Sequence, residues 1–228
     1  MQELDRSYSH FPLWLEKSGL PAFLNEKSKT PFAWIVFRKI VELDVAEHPA
    51  RPGIVEISLV AIGEATGLDT AKVEKSIKAI RKAGLVRAFV PENPEEPGCY
   101  QLITPLPTPA TPDEVRARHP DLFLEAEWPP RYSVEVKEDS AEALESRAGK
   151  IKRVVDLYLN SFSMRMNSLI VDELQIIADR YDMELIEKVF QQAKKKEVRS
   201  LGWVVTEIRR EIAYKQKADE LRAAAKNA

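Results

Sequence analysis

The sequence predicts a mainly α protein in two parts: an N-terminal α+β part with a small hairpin, and a C-terminal all-α part. Three observations carry this. The stretch Ile57–Val90 contains two short helical patterns, a tight turn between them and a strand entry. All 15 prolines lie at or before Pro130, and of the eight glycines only Gly149 and Gly202 lie beyond it, so the remainder can be helical almost throughout. Charge is divided along the chain although the formal net value is only −2. Asp69–Val90 is basic, Pro91–Glu145 is strongly acidic, and the region from Lys188 onward is basic again.

Taken in order, Phe11, Leu13, Trp14, Leu15, Leu20, Phe23 and Leu24 are too apolar for a free tail. They predict a short helix or extended arm packed on the rest of the N-terminal part, or a contact between two copies of the chain. Thr30 with Pro31 reads as a helix start, since proline at the first helical position loses no needed donor. The core stripe of that helix is expected at Trp34, Ile35, Phe37, Ile40 and Val41, with His48-Pro49 closing it. Gly53–Ile57 reads as a short strand.

Ser58 is placed to cap a helix bearing Leu59 and Ile62, and Gly67 supplies the backbone freedom that stops it. Asp69 caps a second helix in which Val73, Ile77 and Ile80 recur at helical spacing, leaving Lys72, Lys75, Lys78 and Lys82 elsewhere. Gly84 ends it. This is the sequence form of a helix-turn-helix. Leu85–Val90 and Tyr100–Ile103 read as the two hairpin strands, joined by a loop holding Glu92, Glu95 and Glu96.

Thr104–Pro112, with four prolines, reads as an extended linker continuing to residue 138, with a helical turn near Glu114–Arg118 and an apolar anchor at Leu122, Phe123, Leu124 and Trp128. The expected division is therefore 1–103, a linker over 104–138, and 139–228. In the last part Asp139 and Glu142 resemble a capping box, and Ile151, Val154, Val155, Tyr158 and Phe162 mark one helix face. Leu174, Ile177, Ala178 and Tyr181 mark a second. Asp182 reads as the cap of a third helix, with Leu185, Ile186, Val189, Phe190 and Ala193. Ser200 reads as the cap of a fourth, with Leu201, Val204, Val205, Ile208 and Ile212.

The run from Ala61 to Leu68, continuing through Ile77–Val86, resembles the winged-helix DNA-binding domains of bacterial regulators and replication initiators, with Gly63 where such motifs usually carry alanine. The resemblance implies that the helix holding Lys72–Lys82 is the recognition helix and that the hairpin after Gly84-Leu85 is the wing. Thr70, Lys72, Lys75 and Ser76, in its first two turns, would then lie nearest base edges, and Lys78, Lys82 and Arg87 would meet phosphates. Lysine-rich contact of this kind favours affinity over sequence discrimination. The acidic loop would be repelled by phosphate, so the wing is expected to point away from DNA or to meet a basic protein.

Leu174-x-x-Ile-Ile-Ala-x-x-Tyr-Asp-x-Glu-Leu-Ile-x-x-Val-Phe-x-x-Ala193, followed by Ser200-Leu-Gly-Trp-Val-Val-x-x-Ile208, is similar to the C-terminal helical domain of DnaD-type replication proteins. In the closing motif Trp203-Val204 and Ile208 fit, while Glu207 and Glu211 stand at an aliphatic place and at the tryptophan place. That resemblance implies further contact with single- or double-stranded DNA and with primosome components. It also raises Lys194, Lys195, Lys196 and Arg199 from a solubilising run to candidate phosphate contacts.

No catalytic constellation is present. His10, His48 and His119 have no metal-ligand spacing, there is no glycine-rich phosphate loop, and the carboxylates Glu207 and Glu211 read as solvated. Neither a catalytic residue, a metal nor a cofactor is expected. A single cysteine, Cys99, excludes an internal disulfide framework, and no run of about 18 apolar residues exists to span a membrane. The expectation is a cytoplasmic, non-enzymatic DNA-binding protein of the replication-initiation type. Its expected partners are duplex DNA, single-stranded DNA, a replisome protein and a second copy of itself. The alternatives are a transcriptional regulator with a helical dimerisation domain and a protein adaptor without DNA contact.

Overall fold

The computed structural model describes residues 11–122, 130–135, 141–162, 166–198 and 200–226. The chain divides into two compact units, Met1–Lys137 and Glu138–Ala228. It is mainly helical, with ten α-helices and one three-stranded antiparallel sheet among the described residues. No helix among these residues is long and apolar enough to cross a membrane.

In the first unit two short helices, α1 (Leu13–Lys17) and α2 (Leu20–Ser28), precede α3 (Ala33–Glu47). Most of the apolar N-terminal residues are core: Phe11, Trp14, Leu15, Leu20 and Leu24 are buried and Phe23 packs half-buried against them, whereas Leu13 is 45% exposed. Two expectations about α3 are corrected. It begins at Ala33 after Phe32 and not at Thr30, which is itself buried. Its inward stripe is Ala33, Val36, Phe37, Ile40, Val41 and Asp44, so Ile35 falls off the stripe and is 44% exposed. The spacing of three and four residues from Ala33 onward fixes that face, and it carries a carboxylate at its last position.

Strand β1 (Ile54–Ser58) leads into α4 (Leu59–Thr66), α5 (Thr70–Lys82), β2 (Val86–Phe89) and β3 (Pro97–Leu102). The sheet order is β1-β3-β2, with Val55 opposite Tyr100 and Ala88 opposite the same residue on the other side. The local signals predicted for the helix pair are met. Ser58 accepts from the Ala61 amide over 3.1 Å and Asp69 from the Lys72 amide over 2.8 Å. Gly67 (φ 70°) and Gly84 (φ 73°) take the left-handed conformation that stops each helix. After α5 the Leu85 amide returns to the Ile80 carbonyl and the Gly84 amide to that of Arg81, satisfying carbonyls the helix leaves open. Gly63 is fixed by a close approach, since a Cβ there would lie 2.6 Å from the Leu68 carbonyl oxygen.

The proline-rich stretch is a strap on the first unit rather than a spacer. The Leu106 amide donates to the Tyr132 carbonyl and the Ala110 amide to that of Ser18, both over 2.9 Å. Helix α6 (Pro112–Arg118) starts in a capping box between Thr111 and Glu114 and packs against α1. Leu106, Ala110, Val115 and Tyr132 join the same core as α3 and α5. A 3-10 turn follows at Pro120–Leu122, where Leu122 is half-buried; Phe123, Leu124 and Trp128 lie outside the described residues. The strap's end is clasped to α3. Asp44 Oδ2 accepts from the Tyr132 hydroxyl (2.5 Å) and from Arg131 Nη2 (3.2 Å), while Asp44 Oδ1 accepts from the Gly53 amide (2.8 Å). Arg131 also donates to the carbonyls of Pro49 and His48. Burial, reinforced by the Asp44 carboxylate, holds the Tyr132 hydroxyl protonated far above the ordinary tyrosine range.

The second unit comprises α7 (Ala141–Ser161), α8 (Ser168–Arg180), α9 (Met183–Lys195) and α10 (Leu201–Lys226). Val154 and Tyr158, Leu174 and Ile177, Ile186, Val189 and Phe190, and Leu201, Val204, Val205 and Ile208 are buried where helical spacing predicts. Asp139 lies outside the described residues. Asn167 caps α8 by accepting from the Ile170 amide, whereas Asp182 precedes α9 without a side-chain cap. Glu207 departs from the expected solvated carboxylate: it is 7% exposed, with Arg210 Nη1 3.3 Å away. The inward stripe of α10 passes through it, one residue before Ile208 and three after Val204.

Candidate nucleic-acid interface

Helix α5 packs on α3, α4 and α2 through Val73, Ser76, Ile77 and Ile80. At about 100° per residue, Ala71, Lys75, Lys78 and Lys82 fall within about 60° of one another on the opposite side. All four are exposed. Lys75 and Lys82 form no ion pair with another described residue, so their ammonium groups stand in water. The other lysines are engaged. Lys78 Nζ lies 2.6 Å from Glu74 Oε1, one turn earlier. Lys72 Nζ lies 2.6 Å from Asp69 Oδ2 and 5.7 Å from the centre of the Phe32 ring, so it leans to one flank. The Lys72 ammonium and amide, in that order, hold the Asp69 carboxyl below the usual carboxylate range.

The structure revises the predicted set at one residue. Ser76 is fully buried and its hydroxyl donates to the Lys72 carbonyl over 2.8 Å, so it cannot reach a base edge. The signal was in the spacing, because Ser76 sits between Val73 and Ile80 on the inward face. Thr70, at the first position of α5, is half-exposed. Arg87 is half-exposed on β2, between buried Val86 and Ala88. Sequence reasoning missed Phe32 and Glu74, which modulate two of the lysines.

The acidic hairpin loop does not project freely. The Val60 amide in the first turn of α4 donates to the Pro94 carbonyl over 3.3 Å, and Asn93 closes the turn by accepting from the Glu95 and Glu96 amides. Glu92 and Glu95 are exposed on that turn.

In the second unit Lys194, Lys195 and Lys196 are exposed at the C-terminus of α9, where positive charge complements the helix dipole. The chain reverses there through Glu197 (φ 55°), with the Val198 amide returning to the Ala193 carbonyl. Lys196 Nζ lies 5.2 Å from the centre of the Trp203 ring. Trp203 is half-buried. Arg199 lies outside the described residues. No group of three or more His, Cys, Asp or Glu residues among those described is arranged to hold a metal ion.

The candidate contacts are thus a lysine face on a capped helix of the first unit and, separately, a lysine run beside a half-buried tryptophan ring in the second unit. No protein-family model, no curated protein and no solved structure matches this chain.

Proposed function

We propose that the chain is a non-enzymatic DNA-binding protein of the replication-initiation type. In this reading the first unit is a winged helix whose α5 enters the major groove of duplex DNA, and the helical second unit, DnaD-like, contributes further contact with DNA or a replisome partner. One observation carries the reading: Lys75, Lys78 and Lys82 share the water-facing side of a helix that follows α4 through a tight turn and is capped at both ends. That is the side a second helix of this arrangement presents to a groove. Lysine without arginine or asparagine on the face favours sequence-tolerant binding through phosphates. Glu74 and Asp69 neutralise part of its charge, which favours moderate affinity.

The test is duplex binding of the full chain in a low-salt mobility-shift assay, comparing the native protein with Lys75→Glu/Lys82→Glu. Loss of the shifted band supports the reading. Undiminished binding would remove α5 as the contact surface, and a native protein that binds no DNA would move the function to a protein adaptor, for which Glu92 and Glu95, exposed on the ordered hairpin turn, are the specific observation.

A further inference from the structure

Beside the N-terminal half of α5 lies a feature that neither the helix-turn-helix pattern nor the C-terminal lysine run includes. Helix α2 packs against α5, and the turn from α2 to α3 ends in Phe32, whose ring is covered by the Lys72 ammonium at 5.7 Å. Lys72, on the flank of α5 beside its lysine face, therefore borders this turn. Two exposed lysines stand here, Lys27 in the last turn of α2 and Lys29 in the turn itself, neither in an ion pair with another described residue. Lys27 Nζ stands 5.8 Å from the centre of the Phe23 ring.

Lys29 closes α2 with φ 51°, a left-handed conformation that favours glycine because a Cβ crowds the following carbonyl. The backbone around it is pinned. The Ser28 hydroxyl donates to the Thr30 carbonyl over 2.9 Å and accepts from the Thr30 amide over 3.3 Å, and Thr30 is buried. The dipole of α2 would account for a cation at Lys27, in its last turn. It does not account for keeping a long charged side chain at a cap that glycine would fill with less strain.

We infer that the α2–α3 turn is a second phosphate-contacting strip, in which Lys27 and Lys29 grip the backbone of the duplex alongside the groove occupied by α5. The occupant is a DNA phosphate backbone because the strip offers exposed ammonium groups in no ion pair with another described residue and borders the Lys72 flank of α5. Lysine serves such a site as a point charge free to follow the strand. This inference rests on the DNA-binding reading of α5.

Lys29→Gly separates the two roles, since it removes the charge and relieves the backbone at once. The full-length protein and the variants Lys29→Gly and Lys27→Ala/Lys29→Gly are titrated with one duplex by fluorescence anisotropy over a salt series. Lys29→Gly is expected to melt at the same temperature as the native protein or higher. Its affinity at about 0.1 M salt should fall roughly fivefold to tenfold, and the slope of log affinity against log salt should shrink by about 0.9 for each lysine removed. An unchanged slope in the double variant, with native binding intact and sensitive to Lys75→Glu/Lys82→Glu, overturns the strip and leaves the α5 reading standing. A native protein that does not bind the duplex at low salt overturns both.

Discussion

The Tyr132 hydroxyl donates to Asp44 over 2.5 Å, joining two positions 88 residues apart at a carboxylate with no solvent exposure. Arg131 and the Gly53 amide join it around that carboxylate, so both of its oxygens face a donor. A buried charge is tolerated only when so surrounded. The clasp therefore carries a stability cost if any member is removed.

Tyr132→Phe removes one donor while preserving the ring, and should destabilise the protein by about 1–3 kcal/mol. Asp44→Ala leaves Arg131 and the Gly53 amide facing an apolar gap and should cost more, about 3–5 kcal/mol. Urea unfolding followed by tryptophan fluorescence measures both; equal losses, or none, would contradict the clasp.

A chain ending at Ile103 keeps every strand and the helix pair but lacks Leu106, Ala110, Val115 and Tyr132, all core residues. It should fail to give dispersed amide resonances, whereas a chain ending at Lys137 should fold. Good dispersion from the shorter chain would return the proline-rich stretch to the status of a linker.

Gly63→Ala tests two opposing effects. Alanine is the better helix former by about 1 kcal/mol, but its Cβ would lie 2.6 Å from the Leu68 carbonyl oxygen, which is backbone and cannot turn aside. The clash should win, with a net loss of about 1–3 kcal/mol as the α4–α5 turn is forced open. Stabilisation would show that the turn gives way freely.

What was legible in the sequence was the chemistry that closes within three or four residues. Ser58, Gly67, Asp69 and Gly84 each act on their own turn, so their types at their spacings announce α4 and α5. The start of α3 was misplaced by the same kind of rule, because Thr30 and Pro31 satisfy a local start signal while the core draws Thr30 inward. The strap was illegible for a different reason. Prolines suit an extended stretch whether it is solvated or packed, and only the pairing of Leu106 with Tyr132 and of Ala110 with Ser18 decides. In the candidate site the exposed lysines could be read from periodicity, and so could the burial of Ser76; the engagement of Lys72 with Phe32 could not, because it crosses from one helix to the start of another.

Asp69 gives a pH dependence with a defined sign. Its folded carboxyl titrates below its unfolded value because Lys72 pairs with the charged form. The stabilisation is fully present above the unfolded value near 3.8 and is lost as pH falls through the folded one. Asp69→Ser retains a capping hydroxyl without the titration. The stability difference between native protein and variant should be constant near neutrality and shrink below about pH 4; a difference independent of pH would exclude the carboxylate as its source.

Glu207→Leu should raise the melting temperature of the second unit. The carboxylate is nearly buried, whereas its partner Arg210 has a side chain 60% exposed and would simply return to water. Exchanging such a pair for a packed apolar side chain is commonly neutral or favourable, by about 1 kcal/mol or more. A fall in the melting temperature would show that Glu207 holds another group in place.

The clasp between Asp44 and Tyr132 also sets an order of events during synthesis. Helices α3 to α5 and the sheet are complete in sequence by Leu102, yet the carboxylate at the end of α3 has no hydroxyl or guanidinium partner until residues 131 and 132 have left the ribosome. Until then the Asp44 side chain has only the Gly53 amide among its donors. The first unit is therefore closed by residues about thirty positions beyond its last strand, and its core is complete only when the strap has docked.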